Sequence, residues 1–88
     1  MKIDFTESGW IDYLYWQGQD KKTLKRVNQL LQDISRNGNE GIGKPEPLRG
    51  DLFGWWSRGI DNTNRLVYRL QGDTLEIAHC RGHYDWTV

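Results

Sequence analysis

The chain has little cysteine, no excess of charge and no long apolar run, and each of these shortages excludes a class of protein. Cys80 is the single cysteine among 88 residues, so no disulfide can form within the chain. Small secreted domains usually carry several cysteines, and the sequence shows no basic and apolar leader, so we expect a cytoplasmic protein. No apolar run is long enough to span a bilayer, so we expect no membrane association.

Several common site patterns are also missing. The sequence contains no GxGxxG motif, no P-loop and no Ser-His-Asp pattern. One group of metal-ligating residue types lies near its end, but its members alternate between the faces of a strand and lack zinc-like spacing: His79, Cys80, His83 and Asp85. We therefore expect no metal and no cofactor, and we interpret Cys80 as a core residue rather than a nucleophile.

Charge is balanced over the whole chain but not along it. Twelve basic and twelve acidic residues cancel. Two stretches are locally basic: Lys21, Lys22, Lys25, Arg26 and Arg36 against Asp33, and Lys44, Arg49, Arg58, Arg65 and Arg69 against Glu46, Asp51 and Asp61. A local basic face can attract phosphate even on a neutral molecule, whereas the alternative for the lysine-rich stretch is a solvated helix face.

The residue pattern predicts one α+β domain over residues 1–88, with an N-terminal strand and two helices packed on one face of an antiparallel sheet. MKIDF alternates like a strand, and apolar spacing predicts helices over residues 7–17 and 21–36. We expect Thr6 or Ser8 to cap the first helix and Gly18 to end it. Asp20 and Gly38 should bound the second helix.

The second half of the chain predicts a meander of strands joined by the turns DNTN and QGD. In the strand that begins at Arg65, alternation places Leu66, Tyr68 and Leu70 towards the helices and Arg65, Val67 and Arg69 on the open face. The same parity places His83 on the side of Leu75 and Ile77. His83 therefore reaches the open face only through a register shift, for which Gly82 is a candidate as a bulge or as a strand end.

The segment GKPEPLRG places Glu46 between the only two prolines, Pro45 and Pro47. Each proline fixes its own φ and favours an extended conformation in the residue before it. Glu46 therefore sits on stiff backbone, either as part of a simple connector or as a carboxylate that must be aimed.

Glu46, Arg65 and His83 together have a chemical meaning. Cleaving RNA without a metal requires a base for the 2′-hydroxyl, cationic donors near phosphorus and an acid for the departing 5′-oxygen. The alternatives stay open for each residue: Arg65 and Arg69 could pair with Glu76 across the hairpin, and His83 could be a satisfied histidine.

Four segments, WIDYLYWQGQDKKTLKRVNQLLQDI, GKPEPLRGDLFGWWSR, RLVYRL and CRGHY, resemble the YoeB-type toxins of the RelE/ParE toxin–antitoxin superfamily over nearly the whole chain. The resemblance implies a RelE-like, microbial-RNase fold and a ribosome-dependent endoribonuclease that cuts mRNA in the A site of the 70S ribosome and so inhibits translation. It also implies a YefM-type antitoxin, operator DNA binding only through the antitoxin complex, and a homodimer that exposed aromatics such as Trp10 or Trp55 would support.

Matched to the family motifs, Glu46 corresponds to the general base, Arg65 to the phosphate-stabilising arginine, His83 to the general acid and Tyr84 to the aromatic residue that contacts mRNA. The expected substrate-binding residues are Lys44, Arg49, Arg58 and Arg69. Gly59 stands where relatives often carry a second arginine. The alternatives are a non-catalytic RNA- or protein-binding module and a gyrase-poisoning toxin on the same scaffold.

Overall fold

The helices begin at side-chain caps that the sequence predicts. The computed structural model describes residues 1–83, in which α1 spans Glu7–Gln19 and α2 spans Lys21–Asn37. The Thr6 hydroxyl accepts the Gly9 N–H at 3.0 Å, and the Asp20 carboxylate accepts the N–H groups of Lys22 and Thr23. These acceptors satisfy helix N-terminal donors that would otherwise lack partners.

The prediction that Gly18 ends α1 is wrong. The helix continues to Gln19, and the Asp20 N–H closes it by donating to the Trp16 carbonyl at 2.9 Å. Asp20 therefore closes α1 with its backbone and caps α2 with its side chain. Gly38 ends α2 as predicted, with φ of 66°. Neither helix of the described chain has the length and apolar character that crossing a membrane requires.

Within residues 1–83, five strands form one sheet in the order β1-β5-β4-β3-β2. Their bounds are Lys2–Phe5 for β1, Glu46–Pro47 for β2, Trp56–Gly59 for β3, Arg65–Gln71 for β4 and Thr74–His79 for β5. The α+β class with two helices on one face is confirmed. One pairing differs from the expected antiparallel pattern, because β1 runs parallel to β5. Residues 6–73, which contain both helices and the other three strands, supply the long connection that a parallel pairing needs.

The face of the sheet under α1 and α2, here the helix face, carries the main core. Its fully buried residues include Val27, Leu30 and Ile34 from α2 and Leu66 and Tyr68 from β4. Leu70 packs against the same cluster, so the predicted facing of β4 is confirmed. This burial of apolar area supplies most of the driving force for folding.

The opposite face is open only in part. Val67 and Ala78 form a second, smaller core there with Leu48 and Leu52, and Trp55 packs against it. Residues 48–55, which include a short 3₁₀ turn at Gly50–Leu52, cover this face, here called the loop face. The segment is closed by the Leu48 N–H, which donates to the Trp55 carbonyl at 2.9 Å.

A bulge changes the register between β4 and β5. Tyr68 pairs with Ile77 and Val67 pairs with His79, so Ala78 is the additional residue. The shift therefore falls at Ala78, not at Gly82 as predicted. Gly82 lies beyond the end of β5 with φ of 89°, a conformation that favours glycine.

Candidate functional site

Glu46 and Arg65 meet on the loop face at the edge of the sheet. Glu46 of β2 pairs with Ser57 of β3, and Arg65 opens β4. The Arg65 Nε donates to the Ser57 Oγ at 2.6 Å, and its Nη2 lies 3.4 Å from the Glu46 Oε1. The Glu46 side chain is 47% exposed and the Arg65 side chain 20%, so both can be reached by a ligand.

The backbone before Glu46 is as restricted as its prolines predict. Glu46 is extended, and β2 is an edge strand, where a proline costs no interior ladder bond. Lys44 is the non-glycine residue with positive φ, at 53°, in the described chain. L-residues rarely adopt this conformation, so the chain turns sharply at exposed Lys44 and then runs straight through Glu46.

The chain segment that carries His83 is tied to the start of β4. The Arg65 N–H donates to the Gly82 carbonyl at 2.9 Å, and the Gly82 N–H donates to the Asn64 Oδ1 at 2.8 Å. His83 follows directly and is exposed. The backbone beside His83 therefore lies next to Arg65. Tyr84, the fourth predicted catalytic residue, lies outside the described residues.

The other predicted phosphate-binding residues differ in their surroundings. Lys44 and Arg49 are exposed, and Arg49 immediately precedes the 3₁₀ turn. Arg69 instead donates to the Glu76 Oε1 at 2.7 Å and lies 4.3 Å above the Trp55 ring. The pairing of Arg69 with Glu76 across the hairpin, which the sequence left open as an alternative, is thus present, whereas Arg65 contacts Glu46.

The prediction that Arg58 binds substrate is contradicted by its burial. Arg58 is fully buried on the helix face, and its donors bond Asp33, Tyr68 and three backbone carbonyls. The β3–β4 register pairs Arg58 with Leu66, a core residue, so both point towards the helices. Strict alternation along WWSRG places Arg58 and Ser57 on opposite faces. This alternation was the sequence signal that could have assigned Arg58 to the helix face.

Ser57 is a site residue that the sequence did not indicate. It is fully buried on the loop face, and its hydroxyl accepts the Arg65 Nε–H. Ser57 belongs to the candidate site because it lies opposite Glu46 in the sheet, and only the tertiary structure shows this pairing. A short hydrogen bond from a charged donor restricts the arginine rotamer and so orients the guanidinium.

Cys80 does not belong to the site. Its thiol is buried in the main core, and burial raises its pKa to about 12. The thiol is therefore protonated at neutral pH and unsuited to nucleophilic attack or metal binding. Within residues 1–83, the histidine, cysteine and carboxylate side chains form no group able to hold a metal ion.

Comparison with known proteins assigns the chain to a family. The family model for YoeB-like toxins of bacterial type II toxin–antitoxin systems matches residues 5–84. The chain belongs to this family. The YoeB toxin of Streptomyces coelicolor is 54% identical over 84 residues, which cover 96% of this chain and all of the relative. The family assignment made from the sequence motifs is therefore confirmed.

Solved structures of family members have the same fold. The YoeB/ParE toxin from Agrobacterium tumefaciens superposes with a TM-score of 0.93 at 44% identity, covering 96% of this chain and 100% of that one. YoeB from Staphylococcus aureus, in complex with YefM, superposes with a TM-score of 0.90 at 45% identity and covers 96% and 98% of the two chains. A dimer of that toxin gives the same TM-score at 46% identity, with the same coverage.

Proposed function

We propose that this toxin is a ribosome-dependent endoribonuclease that cleaves mRNA in the A site without a metal ion and thereby inhibits translation. The observation that carries the proposal is the position of Arg65 between Ser57 and Glu46, beside the backbone that leads to His83. A guanidinium next to an accessible carboxylate is the arrangement that phosphodiester cleavage by a 2′-hydroxyl needs.

In the proposed reaction, Glu46 accepts the proton of the ribose 2′-hydroxyl, and the 2′-oxygen forms a bond to phosphorus. The bond from phosphorus to the 5′-oxygen breaks, and His83 protonates that oxygen. The products are a 2′,3′-cyclic phosphate and a 5′-hydroxyl. Each acid or base group of this kind contributes about a hundred- to ten-thousandfold in rate.

Arg65 would stabilise the charge that develops on the phosphate oxygens. Its Nε is held by Ser57, while the contact of its Nη2 with exposed Glu46 is long at 3.4 Å. A scissile phosphate would therefore compete with Glu46 for this long contact. Lys44 and Arg49 would add exposed positive charge along the RNA backbone, and Tyr84 would contact the nucleotides at the cut.

The proposed partner is a YefM-type antitoxin in the cytoplasm. The support is the S. aureus complex, whose toxin is 45% identical to this chain. An acidic antitoxin segment that lies over the loop face and pairs with Arg65 would block the site. The S. aureus dimer supports a homodimer as well, and contact with operator DNA would then come through the antitoxin complex.

Toeprinting of a translated message tests target, position and chemistry together. The wild-type protein should truncate the message in the A site, and a 2′-deoxyribose at the cut position should abolish truncation because the attacking oxygen is missing. Glu46→Gln should lower the cleavage rate by about a hundredfold or more. The matched control is Glu7→Gln, the same chemical change at an exposed carboxylate in the first turn of α1.

Cleavage of the deoxy substrate, or full activity of Glu46→Gln, would exclude this mechanism. Growth arrest that survives both Glu46→Gln and His83→Gln would instead indicate a non-catalytic binding module or a different target.

A further inference from the structure

We propose that Arg58 and Asp33 are positioning residues that fix the entry loop, residues 38–43, and through it set the place of the Glu46 carboxylate. This role rests on the proposed function of Glu46. It replaces the substrate contact expected for Arg58, since a fully buried side chain cannot touch RNA.

Three carbonyls of the entry loop converge on one guanidinium. The Arg58 Nη2 donates to the carbonyls of Gly38 at 2.7 Å and Glu40 at 2.9 Å, and its Nη1 donates to the Ile42 carbonyl at 3.0 Å. Every second residue of the loop is therefore bonded to the same side chain. These hydrogen bonds hold the backbone of the irregular loop in place, as bonds to neighbouring strands hold a strand.

Asp33 ties the same loop to α2. Its Oδ2 accepts from the Arg58 Nη1 at 2.5 Å and from the Ile42 N–H at 3.1 Å. The hydrogen bond from Arg58 holds the pKa of Asp33 below its ordinary value of 3.8, so the carboxylate is ionised at neutral pH. A charged pair that is largely withdrawn from water depends on both partners, because either charge alone would be poorly solvated.

Close backbone contact completes the attachment. The Gly59 N–H donates to the Gly43 carbonyl at 2.8 Å, which joins the end of the loop to β3. Gly41 has φ of 130°, and a Cβ there would collide with the Asp33 carboxylate. A Cβ on Gly43 would lie 2.9 Å from a Leu30 methyl group and 3.2 Å from the Arg58 Cβ. The loop thus fits closely against the two charged residues.

Only Lys44 and Pro45 separate this attachment from Glu46. Pro45 has a fixed φ, and Lys44 is already in a sparsely populated conformation, so neither can readily absorb a displacement of Gly43. β2 has two residues, and its pairing alone offers few bonds to hold Glu46. A misplacement of about 1 Å at a reacting group can cost roughly a hundredfold in rate.

The first test perturbs the loop and leaves Arg58 in the core. Asp33→Asn removes the charge, and Gly41→Ala pushes the Asp33 side chain away. The matched control is Gly72→Ala, which also places alanine at positive φ, here 58°, but with no described atom within 4 Å of its Cβ. Both test variants should speed amide hydrogen exchange at Ile42 and Gly59 and shift the NMR signals of Glu46, while β4 amides and the control stay unchanged.

Unchanged exchange at Ile42 and Gly59 in both variants would overturn the proposal. Faster exchange without any shift of the Glu46 signals would do so as well, since the loop would then move independently of the carboxylate. These readouts require no catalytic activity, so they decide the question even if the wild-type protein does not cleave RNA.

The second test is a double-mutant cycle on cleavage of ribosome-bound message. Asp33→Asn should lower the rate at saturating ribosome complex by about ten- to a hundredfold and leave the half-saturating concentration unchanged. In a Glu46→Gln background the same change should have no further effect, because the group it positions is already absent. A full additional loss would refute positioning while leaving the nuclease assignment intact. If the wild-type protein does not cleave the message, the nuclease assignment alone is refuted, and the exchange measurements still decide the positioning proposal.

Discussion

Arg58 and Arg65 lie on neighbouring strands of the sheet and point to opposite faces. Arg58 faces the helices, is fully buried and donates to five protein acceptors. Arg65 lies on the loop face with its side chain 20% exposed, and its contact with Glu46 is long. Two residues of one type therefore have different environments, and the difference follows from which acceptors surround each guanidinium.

The comparison shows why an arginine-rich stretch is a poor guide to a binding face. A buried guanidinium must have its donors satisfied by protein groups, and once satisfied they are unavailable to a ligand. A partly exposed guanidinium with a long contact to a carboxylate is the better candidate for binding a phosphate, because that contact can be exchanged. Arg69 lies between these two cases, because its guanidinium already contacts Glu76 and the Trp55 ring.

The largest expected effect is a difference in the free energy of unfolding between variants of Arg58 and of Arg65. Arg58→Ala should lower the free energy of unfolding by about 3–5 kcal/mol, because Asp33 and three loop carbonyls lose their partner. Arg65→Ala should cost less, about 1–2 kcal/mol, because it removes one bond to the buried Ser57 hydroxyl and a partly exposed ion pair. Urea denaturation of both variants measures the difference. Equal losses would show that burial does not distinguish the two residues.

The cleavage rate per folded molecule should depend more on Arg65 than on Arg58. Arg65→Ala should lower the cleavage rate per folded molecule by about a hundred- to a thousandfold, because a donor aimed at the developing phosphate charge is removed. Arg65→Lys should recover only part of the rate, since an ammonium cannot form the two parallel bonds of the guanidinium. Single-turnover cleavage of ribosome-bound message provides the measurement. Wild-type rates for Arg65→Ala would remove Arg65 from the mechanism.

The smallest expected effect is the loss of folding stability at low pH, which has separate causes near Asp33 and at the contact between α1 and β5. Burial lowers the pKa of His79 from 6.5, against the opposing charge of Asp12 4.0 Å away. The folded state then binds this proton less well than the unfolded state, so stability falls as the pH drops below 6.5, by at most about 1.4 kcal/mol per unit.

Asp33 loses its contribution in the same direction but at lower pH. Its lowered pKa contributes stability that is present in full above 3.8 and is lost only as the pH falls below that value. His79→Gln should therefore flatten the part of the stability profile that declines just below pH 6.5 and leave the loss below pH 3.8 in place. Urea unfolding across this range tests the assignment. A variant whose profile matches the wild type would show that His79 does not cause the upper decline.

Much of the fold could be predicted because the relevant interactions are local. Thr6 and Asp20 cap helices through bonds that span two or three residues, and the extended form of Glu46 follows from the prolines on either side. Alternation correctly assigned Leu66, Tyr68 and Leu70 to the helix face. Gly18 failed as a helix end because glycine permits a stop without enforcing one.

The other errors arose where distant segments meet. The shift at Ala78 depends on how β4 and β5 pair, and the covering of Val67 depends on residues 48–55 folding back over the sheet. The role of Arg58 depends on Asp33 and on carbonyls that lie 16–20 residues away along the chain. No local pattern contains these partners.

The sequence by itself determined the helices, their caps, the stiff backbone around Glu46 and the membership of the toxin family, because propensity, proline geometry and motif spacing are properties of neighbouring residues. The tertiary structure decided which arginine is buried and which remains accessible beside the carboxylate. The physical reason is that the state of a charged side chain depends on its loss of water and on its acceptors, and both are supplied by residues that only folding brings close.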